Sequence, residues 1–335
     1  MKILFLHHGV ACYSTLFSLL SIFLFIYQIR YLRQPSQRYV AENEGDKQRI
    51  ASGNSIEEIR QLPMIFVSGY RRSGTTLLRS MLDVHDAIFC GPELKALSFY
   101  VGYLTNLEVE AYRYNYYKTF FFNMSTVYDA SVLFMHHILK NNLKKADILC
   151  AKDPTFIYNI DKLNKVFPKA KILIMVRDGR ASVLSLIKRS KMSKMNTKHF
   201  HDYLTEWNSV YFRVYSQCNL IGKDICKIVR YEDLIENTEE VMRDISKFLN
   251  ITYTKKFLNH QKYIGGNKKV IVEKNGLSSF QVIKPVYKHS LKSWIGKIDY
   301  DKLVVNKTIY MLHKFGYKID FDNEEDGKYL ENSDN

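Results

Sequence analysis

The sequence predicts an α/β domain whose central parallel sheet is flanked by helices. Short, uninterrupted apolar runs recur along it, as strands buried on both faces require. Segments of helix length and helical periodicity separate these runs. The polar motifs follow directly on the runs, where ligands sit in parallel sheets.

Taken in order, the predicted strands are MIFVS (64–68), DILCA (147–151), KILIMV (171–176) and CKIVR (226–230). Helical periodicity covers residues 126–144, 156–166, 179–190 and 199–221. Strands separated by helices imply parallel pairing through right-handed crossovers. No internal repeat is visible.

Around this domain the composition changes. Eighteen residues from Val10 to Tyr27 carry no charge, about the length that spans a bilayer. A weak n-region and the lack of a small-x-small cleavage site favour an uncleaved anchor over a signal peptide. The expected organisation is a short cytoplasmic N-terminus (1–9), a signal-anchor (10–28), a polar stem (29–61), the folded domain (62–320) and an acidic tail (321–335) whose composition predicts disorder. Arg30, Arg33 and Arg38 follow the span and only Lys2 precedes it, so charge alone would leave the body in the cytosol. Three glycosylation sequons, at Asn123, Asn250 and Asn306, argue instead for a lumenal body. So do four cysteines outside the span, Cys90, Cys150, Cys218 and Cys226, an even number without any CxxC pair to suggest zinc.

The formal charge of +15 implies an anionic partner. Basic residues are scattered, with no long Lys/Arg arm, which disfavours nucleic acid. The stretch GYRRSGTT (69–76) follows the first predicted strand and opens a helix near Thr75. Such a loop offers backbone amides and a helix N-terminus to a phosphate, and Arg72, Ser73, Gly74, Thr75 and Thr76 supply further donors and space. The spacing from Gly69 to Gly74 matches a nucleotide P-loop, but Thr75 stands where that loop has lysine. Triphosphate hydrolysis thereby loses its main charge clamp. A second basic stretch, RDGRASVLSLIKR (177–189), follows the strand KILIMV. Arg177 at the strand end and Ser185 about two turns into the next helix can hold a second phosphate.

Together these two loops resemble those of sulfotransferases, which use 3′-phosphoadenylyl sulfate (PAPS). Within that superfamily the chain is similar to the protein-tyrosine sulfotransferases. The segments SGTTLLRSMLDVH, CAKDP, FPKAKILIMVRDGRASV, EWN, VRYEDL, QVIKPV and SWIGKI run collinearly over residues 63–317. The resemblance implies a P-loop-like sulfotransferase fold with one catalytic domain. It also implies tyrosine O-sulfation of secretory-pathway proteins at acidic motifs, a PAPS donor, no metal, a homodimer and a single-pass type II protein of the Golgi membrane. The rival expectations are a carbohydrate sulfotransferase and a PAPS-binding relative without activity.

Residue by residue, the resemblance makes Glu93 in CGPELK the catalytic base and Lys152 in CAKDP the charge-stabilising lysine. A phenol with pKa near ~10 needs such a base at neutral pH. Ser278 and Ser279 are candidates for a serine on the sulfuryl oxygens, from a loop that departs from the family pattern. Arg189, Tyr231 and Lys284 match cofactor contacts, and Lys95, Ala96, Leu97, Ser98 and Phe99 match a peptide-binding stretch. Arg71 stands where proline is typical, Pro92 replaces an acidic residue, and Lys95 replaces an arginine. The implied disulfides join Cys90 to Cys150 and Cys218 to Cys226; the first would bring Glu93 and Lys152 together.

Overall fold

The computed structural model describes residues 55–113, 123–142, 146–189, 197–265, 270–272, 279–286, 288–292, 294–297 and 309–318. The predicted anchor, most of the stem, the acidic tail, Asn306 and Ser278 lie outside the described residues.

Folding starts earlier than the predicted stem boundary. Helix α1 (Ile56–Arg60) forms because Ser55 and Glu58 make a reciprocal capping box, and it buries Ile59 in the core. The sheet has five strands: β1 (Met64–Gly69), β2 (Ile88–Phe89), β3 (Ile148–Lys152), β4 (Lys171–Val176) and β5 (Cys226–Arg230). Their order is β2-β3-β1-β4-β5, and all neighbours are parallel. Four strands match the apolar runs; β2 is a two-residue edge strand, too short to leave a pattern.

Between the strands lie α2 (Thr75–Leu82), α3 (Lys95–Arg113), α4 (Met124–Asn142), α5 (Ile160–Val166), α6 (Gly179–Arg189) and α7 (Thr197–Ile221). After β5 come α8 (Tyr231–Glu236) and α9 (Thr238–Leu249). The helix expected over 156–166 is instead a 3-10 turn, Pro154–Tyr158, followed by α5. Asp153 caps that turn by accepting from the Thr155 amide at 2.9 Å, and Asn159 breaks the helical path at φ −142°. Helix α3 carries apolar residues on both faces: Leu97, Val101 and Leu104 are buried, whereas Phe99, Tyr103, Val109 and Tyr112 are exposed. No polar face marks it as an amphipathic helix, so its periodicity is hidden.

Side chains alternate across the sheet. Phe66, Ile172, Ile174 and Val176 join one core with Phe156, Phe167 and Trp207. Ile65, Val67, Leu173 and Met175 join the other with Leu78, Met81 and Ile245. Both faces are therefore covered, which is why the strands read as unbroken apolar runs. The chain passes from β3 to β4 across β1, and so changes direction at the centre of the sheet. Such a switch point leaves a crevice at the strands' carboxyl ends.

Of the sequon asparagines, Asn123 and Asn250 are exposed. Asn123 caps the start of α4 through the Ser125 amide, and Asn250 ends α9 in the left-handed region at φ +56°, which asparagine tolerates. Close packing also constrains Gly179, the first residue of α6. A Cβ there would meet Leu204 Cδ1 at 2.7 Å and Trp207 Cδ2 at 2.8 Å. Gly179→Ala is expected to lower stability by about 1–3 kcal/mol through overpacking, read as a fall in urea midpoint at unchanged slope.

Candidate active site

The first loop leaves β1 at Gly69 and closes when the Ser73 amide donates to the Tyr70 carbonyl at 3.0 Å. Arg72 (φ +72°) and Gly74 (φ +98°) take left-handed conformations. At Gly74 a Cβ would also lie 2.4 Å from the Tyr231 ring, so glycine is required for space as well. Thr75 then opens α2; the Leu77 and Leu78 amides close on the Gly74 carbonyl at 3.0 and 3.1 Å, and the amides ahead of them, at Thr75 and Thr76, have no acceptor within the helix and favour an anion. Ser73 and Thr75 are buried, and Thr76 is half-buried.

The second loop meets the first directly. Arg72 Nε donates to Ser185 Oγ on α6 at 3.0 Å, and Arg177 Nη1 donates to the Arg72 carbonyl at 3.3 Å. The Arg177 guanidinium lies 4.6 Å from the centre of the Tyr231 ring. Arg189 is exposed at the end of α6, and Lys284 is exposed on a separate segment. Gln281 of that segment accepts from Arg72 Nη2 at 3.1 Å. A short helical turn, Ser279–Val282, begins at Ser279, whose side chain is outside the described residues.

Two sets of contacts hold these loops in register. Tyr211 of α7 accepts from the Tyr70 amide at 3.0 Å and donates to the Met175 carbonyl at 2.6 Å, tying the ends of β1 and β4. Glu232 accepts from the Asp178 amide at 3.0 Å and from Tyr317 at 2.8 Å. Burial raises the Glu232 carboxyl above its usual range, against the Asp178 amide that lowers it. Asp178 in turn pairs with the fully buried Arg180, which also reaches the Lys318 carbonyl and the Trp294 ring.

The third part lies beside the first loop. Cys90 and Cys150 form a disulfide with Cα atoms 4.2 Å apart, and Cys218 bonds Cys226. Glu93 and Lys152, 59 residues apart in sequence, form an ion pair through Oε1 and Nζ. Lys152 Nζ also donates to Thr76 Oγ1 at 3.3 Å. Lys95 reaches Glu93 Oε2 at 2.5 Å and Asp153 Oδ2 at 3.2 Å. Burial would raise the Glu93 carboxyl, but the Lys152 and Lys95 ammonium groups outweigh it and hold it below the usual carboxylate range. Burial pushes the Lys152 ammonium below the ordinary amine value, and Glu93 restores only part of the loss.

The structure thus brings Arg72, Ser185, Arg177, Tyr231, Thr76, Glu93 and Lys152 to one end of the sheet. In the predicted peptide stretch Lys95, Ala96 and Phe99 are exposed, and Ser98 is nearly buried with its hydroxyl on the Lys95 carbonyl. Leu97 is fully buried in the core and cannot line a groove, because helical periodicity turns it inward. Sequence reasoning missed Tyr211, Gln281, Asp153 and the pair Arg79–Asp83. The last had a readable signal: opposite charges at i,i+4 on the same helix face as Leu78 and Leu82.

The model of the sulfotransferase family matches residues 63–255. Protein-tyrosine sulfotransferase 2 of Gallus gallus is 36% identical over 269 residues, covering 77% of this chain and 70% of the relative. The Homo sapiens protein-tyrosine sulfotransferase 1 is 36% identical over 261 residues, with the same coverages of 77% and 70%. The chain belongs to the protein-tyrosine sulfotransferase family. Among solved structures, the sulfotransferase domain of a Synechococcus olefin synthase superposes with a TM-score of 0.56 at 20% identity, covering 77% of this chain and 96% of its own. This likeness shows the sulfotransferase fold. Relative to the family pattern, Arg71 is exposed and lies 3.7 Å from Glu206, and Lys95 contacts Glu93.

Asp83 connects these parts. Its side chain is fully buried; Oδ2 pairs with Arg79 at 2.8 Å, and Oδ1 accepts the Cys90 and Gly91 amides at 2.6 and 3.4 Å. Asp83→Ala leaves a buried guanidinium unpaired and two amides unmet. The expected loss is about 3–5 kcal/mol, measured by urea unfolding.

Proposed function

We propose that this protein transfers a sulfuryl group from PAPS to the hydroxyl of tyrosine residues in acidic motifs of secretory-pathway proteins. The observation that carries the proposal is the Glu93–Lys152 pair beside two linked phosphate loops, in a member of the protein-tyrosine sulfotransferase family. The relatives' names supply the acceptor class. The donor fits the residues present: a lysine-free loop at the start of α2 suits a phosphosulfate, and Gly74 leaves room for Tyr231 to pack against the loop. When bound, PAPS supplies a sulfuryl group activated by a phosphate leaving group. Arg72, Ser73, Gly74, Thr75 and Thr76 would hold its 5′ side. Arg177, Ser185 and Arg189 would hold its 3′-phosphate, with Tyr231 against the nucleotide and Lys284 closing over it. Ser278 or Ser279 would add a donor to the sulfuryl oxygens.

Glu93 takes the phenolic proton as the tyrosine oxygen bonds to sulfur, while the bond from sulfur to the departing bisphosphate breaks. Lys152 faces the same point from β3 and offsets the charge that builds there. The reaction needs no other reactant. The uncharged span at 10–28 and the sequons at Asn123, Asn250 and Asn306 support a Golgi membrane anchor with a lumenal, glycosylated domain. The family membership supports a homodimer.

Incubating the membrane-bound protein with sulfur-labelled PAPS and an acidic tyrosine peptide should label tyrosine. Label on a glycan instead would favour a carbohydrate acceptor. Glu93→Gln should lower turnover by about 100- to 10,000-fold, as loss of a general base does. The pH profile of kcat/KM follows from the two shifts. Protonation of Glu93 abolishes activity, so the acid limb should lie below the ordinary glutamate value; loss of the Lys152 proton should place the alkaline limb below the ordinary lysine value.

The disulfide ties covalent structure to rate. Cys90→Ser should reduce turnover more than PAPS binding, because the bond joins the segments carrying Glu93 and Lys152, not the phosphate loops. A misplacement of about 1 Å can cost roughly 100-fold. The assay is run well below the variant's melting temperature, since a loop of this length contributes about 4 kcal/mol in the chain-entropy view. Unchanged turnover in a folded variant would refute the link.

A further inference from the structure

We propose that Lys95 is a displaceable clamp on the base Glu93, and that an acidic residue beside the acceptor tyrosine draws it away. The inference rests on the reaction proposed above. Both oxygens of Glu93 are occupied: Oε1 by Lys152 and Oε2 by Lys95 at 2.5 Å. Each oxygen keeps a second lone pair, but a phenol must come within hydrogen-bond distance of one of them, and a lysine seated there competes with it for the approach and for the oxygen's charge.

The two lysines differ in freedom. Lys152 ends strand β3, its side chain is only 3% exposed, and Thr76 holds it from α2. Moving it would strand a buried ammonium without its carboxylate. The Lys95 side chain is 54% exposed, at the first residue of α3. A cation there opposes the helix dipole, and the first turn of α3 has no acidic residue to offset it. Glu93 and Asp153 hold Lys95 instead. Asp153 is anchored separately, its Oδ1 accepting from the Thr155 amide and hydroxyl at 2.9 and 2.8 Å. When Lys95 leaves Oε2, Asp153 remains as one partner, and a carboxylate brought by the acceptor becomes the other.

The charged groups facing this point are Lys152 from β3, Lys95 from α3, Asp153 at the end of β3 and Arg79 from α2, which acts on Lys152. Withdrawal of Lys95 therefore uncovers Oε2 without removing the ammonium that holds Glu93 as an anion. Acidic flanking residues then act on turnover as well as on affinity. Lys95 is a positioning residue in this account: it acts through Glu93.

The test compares two tyrosine peptides, one with acidic flanks and one with Asn and Gln in their place. For the native protein, kcat should be roughly tenfold higher with the acidic peptide, beyond any change in KM. In Lys95→Ala the two kcat values should converge and the acid limb of kcat/KM should move to higher pH; Lys95→Arg should restore the difference. A kcat ratio that persists in Lys95→Ala, or an effect confined to KM in the native protein, overturns the coupling. A second measurement needs no turnover. After reductive methylation of lysines, the Lys95 NMR signal should move in Glu93→Gln and on adding an acidic peptide with Phe for Tyr, but not with its neutral counterpart. A signal that stays still in Glu93→Gln overturns the clamp. Failure of the native protein to sulfate tyrosine would remove the proposed reaction and leave this second result to decide the clamp.

Discussion

A buried ammonium governs the arrangement of the site. Lys152 is placed inside by the register of β3, where Val67 lies opposite it on β1, and only 3% of its side chain meets water. A charge in that position requires a partner of opposite sign. The partner comes from elsewhere in the chain, so the turn carrying Glu93 has to be fixed as firmly as the strand. Three devices fix it. The disulfide ties Cys90 to the strand two residues before Lys152, Asp83 binds the amides of Cys90 and Gly91, and Gly91 turns the chain at φ +61°. Without all three, the ion pair would depend on two flexible side chains meeting across separate segments.

The phosphate loops follow the same pattern of support from distant segments. Tyr211 joins the ends of β1 and β4, and Tyr317 reaches back to Glu232, which holds Asp178. The EWN segment contributes along its length. Glu206 accepts from Tyr70 and Tyr158, Trp207 fills the core under Gly179, and Asn208 accepts the Met311 amide at 2.8 Å. A segment that the sequence marks only as a family match is here the brace between the loops and the segment around Met311.

The sheet and its loops were legible because their signals are local. Strands buried on both faces leave unbroken apolar runs, and the left-handed positions in the first loop leave glycine at 74. Helix α3 was not legible, because its apolar residues point both inward and outward, and β2 was too short to leave a pattern. The folded domain starts before Leu62, and the capping box at Ser55 and Glu58 is short enough to pass for polar stem. Glu93 and Lys152 emerged from the family motifs, with the cysteines placing them side by side. The Gln281 link to Arg72 and the Tyr211 bridge were invisible, since each joins groups whose proximity exists only after folding; Lys95 and Glu93 are sequence neighbours, but only the turn into α3 aims both side chains at one point. Leu97 shows the reverse case: the motif stretch reads as a peptide-binding surface, and helical geometry turns this one member into the core.

The direction of the Glu93 shift also limits the chemistry. A carboxylate held below its usual range is a far weaker base than phenolate, whose conjugate acid titrates near ~10; full proton transfer before attack would cost about 8 kcal/mol or more. Glu93 cannot therefore generate free phenolate in a separate step. The proton has to move as the oxygen loses electron density to sulfur, when the phenol becomes a much stronger acid. The site's contribution is then placement and charge: a carboxylate already ionised and aimed, and an ammonium already desolvated where negative charge gathers. Lys95 can move away, but Lys152 cannot be given up for a stronger base, because it also meets the charge that builds at the leaving group. The Glu93 shift follows from the lysines around it, and the Lys152 shift follows from its own burial.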